Sequence, residues 1–154
     1  MTSLSTFIRR SFFDKYKNLA LAGEMFDGRF LPLLRQYKIS QSANYFEEVE
    51  ILVKGAQHTG QVVIFLDPDT GVEPRGRATD KHVRLSDIRR LACLLRSKDK
   101  MIVYQHARLM RKPTWIEDSM SRIAKADWFE AFSMRNHYDP NCASDVCFLV
   151  IEKP

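Results

Sequence analysis

The chain has 154 residues, of which 45% are hydrophobic and 28% charged, and its formal net charge is +5. This length and composition are typical of one globular domain. No apolar run approaches the roughly 20 residues of a membrane-spanning helix, and the first residues lack the apolar block of a signal peptide. The cysteines, Cys93, Cys142 and Cys147, have no metal-type spacing, which favours reduced thiols in the cytoplasm. The basic excess is compatible with an acidic partner such as nucleic acid.

Residues 1–60 are predicted to be helical. Apolar residues recur at helical spacing over Ser3–Ala22, and Phe30–Tyr37 predicts a short second helix. A further helix is expected to begin at Asn44, because Glu47 has the spacing of a reciprocal capping residue. This part of the sequence contains no Gly-rich loop between a strand and a helix.

From residue 61 the pattern changes to alternating strands and helices. The apolar run Val62–Leu66 predicts a strand buried on both faces, and the polar loop Asp67–Val83 follows at its carboxyl end. The later elements are predicted in this order: a helix from Ser86 or Asp87 to Arg96, a strand at Lys100–Gln105, a helix opened by Thr114, and strands at Trp128–Met134 and Asp145–Glu152. The alternation predicts parallel strands with right-handed crossovers. The turn His137–Ser144 is too short for a crossover, so the last two strands are expected to pair antiparallel.

Two groups of side chains at the carboxyl ends of the first two strands are candidates for chemistry. Asp67, Asp69 and Glu73 form an acidic cluster that would orient an amine or hold a hard cation; alternatively, this is loop chemistry, in which Asp67 and Asp69 cap turns. The next strand ends in Tyr104-Gln105-His106, in which His106 is a candidate general base or simply a satisfied polar residue. Since carboxyl ends of parallel strands share one edge, we expect the two groups to lie close together.

Cations surround this predicted site. The loop after the first strand contains Arg75, Arg77, Lys81 and Arg84, and the loop after the second strand contains Arg108, Arg111 and Lys112. Such a rim suits the phosphates of a nucleotide or nucleic acid, although a solvated loop surface would have the same composition. The candidate substrate-binding residues are Tyr104, Gln105, Lys81, His82, Arg75, Arg77 and Arg108.

The arrangement resembles the C-terminal half of class I S-adenosylmethionine-dependent methyltransferases, in which a parallel β-α-β-α-β run is closed by an antiparallel hairpin. The motifs at Asp67–Glu73, Lys81-His82 and Tyr104–His106 are similar to those of a group of uncharacterised bacterial and phage proteins with this fold. The resemblance implies a Rossmann-like, mostly parallel sheet of about four strands behind N-terminal helices, in a single α/β domain. It also implies S-adenosylmethionine beside Asp67 and Pro68, with Asp67 orienting a nucleic-acid acceptor and His106 accepting its proton.

The resemblance leaves one part of the family pattern unmatched. Methyltransferases hold their cofactor mainly with a Gly-rich turn and an acidic residue after their first strands, and residues 1–60 offer neither. Three functions therefore stay open: a nucleic-acid methyltransferase, a non-catalytic binding or inhibitory module on a degenerate scaffold of phage or mobile-element type, and a metal-dependent phosphodiester enzyme. The missing strands would leave Val62–Leu66 as an open edge, for which an N-terminal helix, a further strand or a second copy of the chain is a candidate cover.

Overall fold

The computed structural model describes residues 45–154, apart from residues 59, 69, 80, 108–113 and 142. The helices predicted over Ser3–Ala22 and Phe30–Tyr37, and the predicted cap at Asn44, lie outside the described residues. The described elements are, in chain order, α1 (Tyr45–Gln57), β1 (Val63–Leu66), α2 (Leu85–Ala92), β2 (Lys100–His106), α3 (Thr114–Ala124), a 3-10 turn (Phe129–Ala131), β3 (Ser133–His137) and β4 (Val146–Glu152).

The four described strands form one mixed sheet in the order β1-β2-β4-β3. β1 pairs with β2 in parallel, with Leu66 opposite Val103. β4 pairs antiparallel with both β2 and β3. The predicted α/β class, the strand count and the antiparallel pairing of the last two strands are confirmed. The expected mostly parallel sheet is not shown, because β4 lies between β2 and β3 and only β1 and β2 pair in parallel.

Burial explains why β4 takes the inner position. Its residues from Val146 to Ile151 are all buried, whereas β3 has the polar sequence Ser-Met-Arg-Asn-His and is partly exposed. A strand that is apolar on both faces needs cover from both sides, so it belongs inside the sheet. Among the described strands β1 lies at an edge. Ile64 is the buried residue of β1 and its other residues are partly exposed, so burial on both faces is not met.

The main core lies between one face of the sheet and the helices. It brings together side chains of α1, α2 and α3 with alternate residues of the strands, which include Val53, Ile64, Ile88, Leu91, Met101, Val103, Ile116, Ile123, Leu149 and Ile151. The opposite face buries a smaller cluster around Ile102, Phe148 and Val150. The period of two along β2 and β4 therefore assigns successive apolar residues to two separate clusters.

The segment before β3 differs from the prediction. The strand expected at Trp128–Met134 begins only at Ser133, and Phe129–Ala131 forms a 3-10 turn instead. The rings of Trp128, Phe129 and Phe132 pack on one another, with centroids 5.7–6.4 Å apart. Aromatic residues are common in strands, but here their mutual packing favours a tight turn.

Two further features are the character of the helices and the state of the cysteines. None of the helices within the described ranges is long and apolar enough to cross a membrane. Cys93 is an exposed free thiol and Cys147 a buried one. Burial raises the pKa of the Cys147 thiol to about 12, so it stays protonated at neutral pH.

A buried carboxylate joins the amino ends of β1 and β2 to the helices. Asp99 is 1% exposed and directly precedes β2. Its Oδ1 accepts a hydrogen bond from the Val62 backbone N–H at 2.8 Å. Its Oδ2 accepts from Gln57 Nε2 at 2.8 Å and from the backbone N–H of Arg96 at 3.0 Å. A single side chain thus connects α1, the start of β1 and the turn that leads into β2.

Asp99→Asn is expected to lower the free energy of unfolding by about 2–4 kcal/mol, because the amide turns one acceptor into a donor among N–H groups and removes the charge beside Arg96. Urea unfolding at pH 7 measures this. The control Asp127→Asn changes an exposed acid and should alter the value by less than about 0.5 kcal/mol. Equal stability of the two variants would contradict the proposed role of Asp99.

The same variant should show a characteristic pH dependence. Burial raises the pKa of Asp99, but hydrogen bonds from Arg96, Val62 and Gln57 outweigh burial, and the pKa lies below its ordinary value. A carboxyl with a lowered pKa stabilises the fold above its unfolded pKa of about 3.9 and loses this contribution as the pH falls through its folded pKa. The difference in unfolding free energy between wild type and Asp99→Asn should therefore shrink below about pH 4.

Candidate functional site

The loop that follows β1 is held against the end of β2 by a buried amide. Gln105 is 5% exposed. Its Oε1 accepts a hydrogen bond from the Val72 backbone N–H at 2.8 Å, and its Nε2 donates to the His106 carbonyl at 3.0 Å. Gly71 approaches the same amide with a φ of +90°, a backbone conformation that favours glycine. The amide of Gln105, a candidate substrate-binding residue, thus bonds to the loop backbone and to the His106 carbonyl.

The loop is also bonded to itself. Val72 and Val83 form an isolated parallel bridge. Beside it, Val83 N donates to the Gly71 carbonyl at 3.0 Å and Glu73 N donates to the Val83 carbonyl at 2.9 Å. The Lys81 carbonyl accepts from Thr70 N and from Thr70 Oγ1. The two ends of the loop are therefore joined, and the segment between them projects as a closed turn.

Glu73 caps a helix. Its Oε1 accepts a hydrogen bond from the backbone N–H of Leu85 at 2.8 Å, and Asp87 Oδ2 accepts from Arg84 N at 3.2 Å. Carboxylates at a helix N-terminus accept hydrogen bonds from the free N–H groups and interact favourably with the helix dipole. These contacts explain why α2 begins at Leu85 and not at the predicted Ser86 or Asp87. Glu73, a candidate catalytic residue, thus accepts a hydrogen bond from the first N–H of α2.

Arg122 on α3 was not singled out from the sequence, yet it anchors the same loop. Its Nη1 donates to the Glu73 carbonyl and lies 3.5 Å from the Val72 carbonyl. Its Nε lies 3.2 Å from Asp118 Oδ2, and its side chain is 11% exposed. Burial lowers the pKa of Arg122 and the charge of Asp118 opposes that shift. The sequence contains a signal for this contact. Arg122 lies beside the apolar positions of an amphipathic helix, where the stem of an arginine packs on apolar surface and its five N–H donors reach neighbouring acceptors.

The cations of the loop remain at its surface. Arg77, Lys81 and Arg84 are exposed. Arg75 is 70% exposed and lies 3.1 Å from Asp118, an arrangement that contributes little to stability. His82 lies beside Lys81 and its Nδ1 is 2.9 Å from Thr79 Oγ1 within the turn. The described part of the predicted basic rim is therefore an exposed strip along the closed turn.

His106 ends β2 and lies beside an acid. His106 Nε2 is 3.0 Å from Asp145 Oδ2, in the turn before β4. Because a carboxylate only accepts hydrogen bonds, Nε2 carries the proton in the neutral ring. Nδ1 is buried and has no hydrogen-bond partner among the described residues. Tyr104 lies on the same face of β2, with its ring centroid 6.4 Å from that of His106. Asp145 was not singled out from the sequence. The pairing of β2 with β4 brings it to the carboxyl end of β2.

The first acidic residue of the loop, Asp67, lies at the same end of the sheet as His106. Asp67 directly follows β1 and is exposed, and Pro68 is buried behind it. Asp69, Arg108, Arg111 and Lys112 lie outside the described residues. Within the part of the chain that the structure describes, there is no group of three or more possible metal ligands among His, Cys, Asp and Glu.

Comparisons with known proteins place no family name on this geometry. No protein-family model, no curated protein and no solved structure matches the chain. Its function must therefore be argued from the site itself.

The close approach of Gly71 to Gln105 predicts a sharp difference between two glycines of one loop. A Cβ at Gly71 would meet the Gln105 amide at 2.5 Å, at a positive φ, whereas a Cβ at Gly76 would meet nothing within 4 Å. Gly71→Ala should lower the free energy of unfolding by about 1–3 kcal/mol, and Gly76→Ala should change it by less than about 0.5 kcal/mol. Chemical denaturation measures the free energy of unfolding of both variants. Equal losses would rule out a close packing of Gly71 against the Gln105 amide.

Proposed function

We propose that this chain binds nucleic acid through its basic loop, residues 75–84, on a methyltransferase-like scaffold. The observation that carries the proposal is the contrast between backbone and side chains in this loop. Bonds from Gln105, Arg122 and the Val72–Val83 bridge hold the segments beside it. The cationic side chains are left exposed.

Anchoring of this kind lowers the cost of binding a polyanion. A loop that is already ordered loses less conformational entropy when its side chains meet phosphates. Lys and Arg contacts to phosphate supply most of the affinity in non-specific nucleic-acid binding, since they release condensed counterions. Long loops without secondary structure in small domains are often functional. The net charge of +5 acts in the same direction by steering an acidic partner toward the protein.

The methyltransferase-like scaffold is supported by strand direction. β1 and β2 are parallel, and β4 is antiparallel to both β2 and β3. β1, β2 and β3 therefore run in one direction and β4 alone is reversed. This matches the pattern of a parallel run closed by an antiparallel hairpin on which the resemblance rests. We propose that this sheet is Rossmann-like.

The proposal predicts that charge reversal in the basic loop abolishes binding. Arg77→Glu/Lys81→Glu should weaken binding to labelled single-stranded and double-stranded oligonucleotides by at least about tenfold, and should reduce the salt dependence of log K by about one unit per cation lost. Fluorescence anisotropy over a range of salt concentrations measures both quantities.

The matched control is Lys98→Glu/Lys153→Glu, which has the same charge change. These two exposed lysines lie beside the Lys100–Glu152 pair of β2 and β4. This pair is at the start of β2, whereas the basic loop lies near the end of β2. The control should retain wild-type affinity apart from a small general effect of net charge. If both double variants bind equally well, or if the wild type binds none of the oligonucleotides, nucleic-acid binding by this loop is excluded.

Methyl transfer is a second candidate, favoured by the pairing of His106 with Asp145 at the edge where Asp67 leaves β1. In this version Asp67 and Pro68 would hold S-adenosylmethionine, which would supply the methyl group. Asp67 orients the acceptor amine. For His106 to take up the acceptor's proton at Nε2, the proton that Nε2 carries in the neutral ring would first have to move to Nδ1, and the acceptor would have to replace Asp145 at Nε2.

Calorimetric titration with S-adenosylmethionine and S-adenosylhomocysteine tests the second candidate. Micromolar binding that Asp67→Ala weakens and Asp127→Ala leaves unchanged would support it, because Asp127 is an exposed acid outside the proposed site. Absence of binding by a folded protein would exclude methyl transfer. Together with oligonucleotide binding, that result would favour the non-catalytic module.

A further inference from the structure

We propose that a cavity beside the basic loop is a seat for one phosphodiester group of the bound nucleic acid. This inference rests on the proposed function and names a specific contact within it. The cavity has a volume of about 310 Å³ and lies where the loop meets α2 and α3. Its lining residues are Glu73, Pro74, Arg75, Leu85, Arg122 and Lys125.

The charges around the cavity fit a monoanion. Arg75, Arg122 and Lys125 line it as cations, and Glu73 lines it as an acid. Asp118 adds a second negative charge, because it lies within 3.2 Å of both Arg75 and Arg122. Three positive charges and two negative ones leave one positive charge uncompensated. A phosphodiester carries one negative charge and is the repeating anion of nucleic acid.

Arg122 supplies the directional part of the seat. Its Nε lies at Asp118, its Nη1 donates to the Glu73 carbonyl, and its Nη2 donates to Ser119 Oγ at 3.0 Å. Each terminal guanidinium nitrogen has two N–H groups. One N–H of Nη2 therefore has no acceptor among the described residues. A largely buried guanidinium with an unused donor beside a cavity is a strong binder of a phosphate oxygen.

The two remaining cations stand at the mouth of the cavity. Arg75 is 70% exposed, and its ion pair with Asp118 is solvent-screened. Lys125 follows the last residue of α3 and is exposed. Pro74 and Leu85 provide apolar lining that lowers the local dielectric. We expect Arg122 to fix the phosphate and the two exposed cations to guide the chain toward it.

The first test uses the isolated group on the wild-type protein. Dimethyl phosphate, a phosphodiester monoanion, is titrated while the guanidinium resonances of Arg122 are followed by NMR. A saturable shift of Arg122 is expected, and Arg135, which pairs with Glu152 on the sheet, should not move. Neutral trimethyl phosphate serves as the matched ligand and should produce no shift. Absence of a shift with dimethyl phosphate overturns the seat, whatever the oligonucleotide results are.

The second test places the seat on the nucleic-acid surface. Lys125→Glu should weaken oligonucleotide binding by roughly fivefold to tenfold and lower the salt slope by about one unit. Lys153→Glu, with the same charge change, should leave both values at wild-type levels. If the basic-loop variant loses binding while Lys125→Glu does not, the seat is overturned and the proposed function stands. If the wild type binds dimethyl phosphate but no oligonucleotide, the nucleic-acid assignment of the seat is overturned together with the proposed function.

Discussion

The hydrogen bond from the Val72 backbone to the buried Gln105 amide is the constraint on which the candidate site depends. A buried amide must satisfy its donors and its acceptor, and Gln105 does so with Val72 on one side and the His106 carbonyl on the other. It therefore ties the loop after β1 to the end of β2 at a defined distance. Gly71 permits this approach, since any side chain there would occupy the position of the amide.

The same contacts decide which chemistry remains available. Glu73 is committed to the first N–H of α2, and the Gln105 amide to the loop backbone. Polar groups that hold a fold together are poor candidates for binding a substrate, because breaking their bonds leaves buried partners unsatisfied. The groups left at the surface are mainly cations. An anchored cationic loop suits recognition of phosphate more readily than acid–base catalysis.

Sequence reasoning succeeded where one segment contains all of its own information. The apolar runs of β2 and β4 and the helical spacing of apolar residues in α3 are local patterns, and these three elements are present. It failed where the outcome depended on a distant partner. The early start of α2 depends on Glu73, twelve residues away. The pairing of His106 with Asp145 depends on the register between β2 and β4. The aromatic residues before β3 suit a strand, and only their contacts with one another explain the turn.

The sequence by itself determined the alternation of strands and helices, the antiparallel closing hairpin and the concentration of cations after the first strand, because periodicity and turn residues act over short distances. Only the tertiary structure decided the order of the strands and the use of each polar side chain. Placing β4 inside the sheet follows from burial on both of its faces, a competition among all four strands. Whether an acid caps a helix or faces solvent depends on which backbone groups folding brings to it, and no local pattern specifies that.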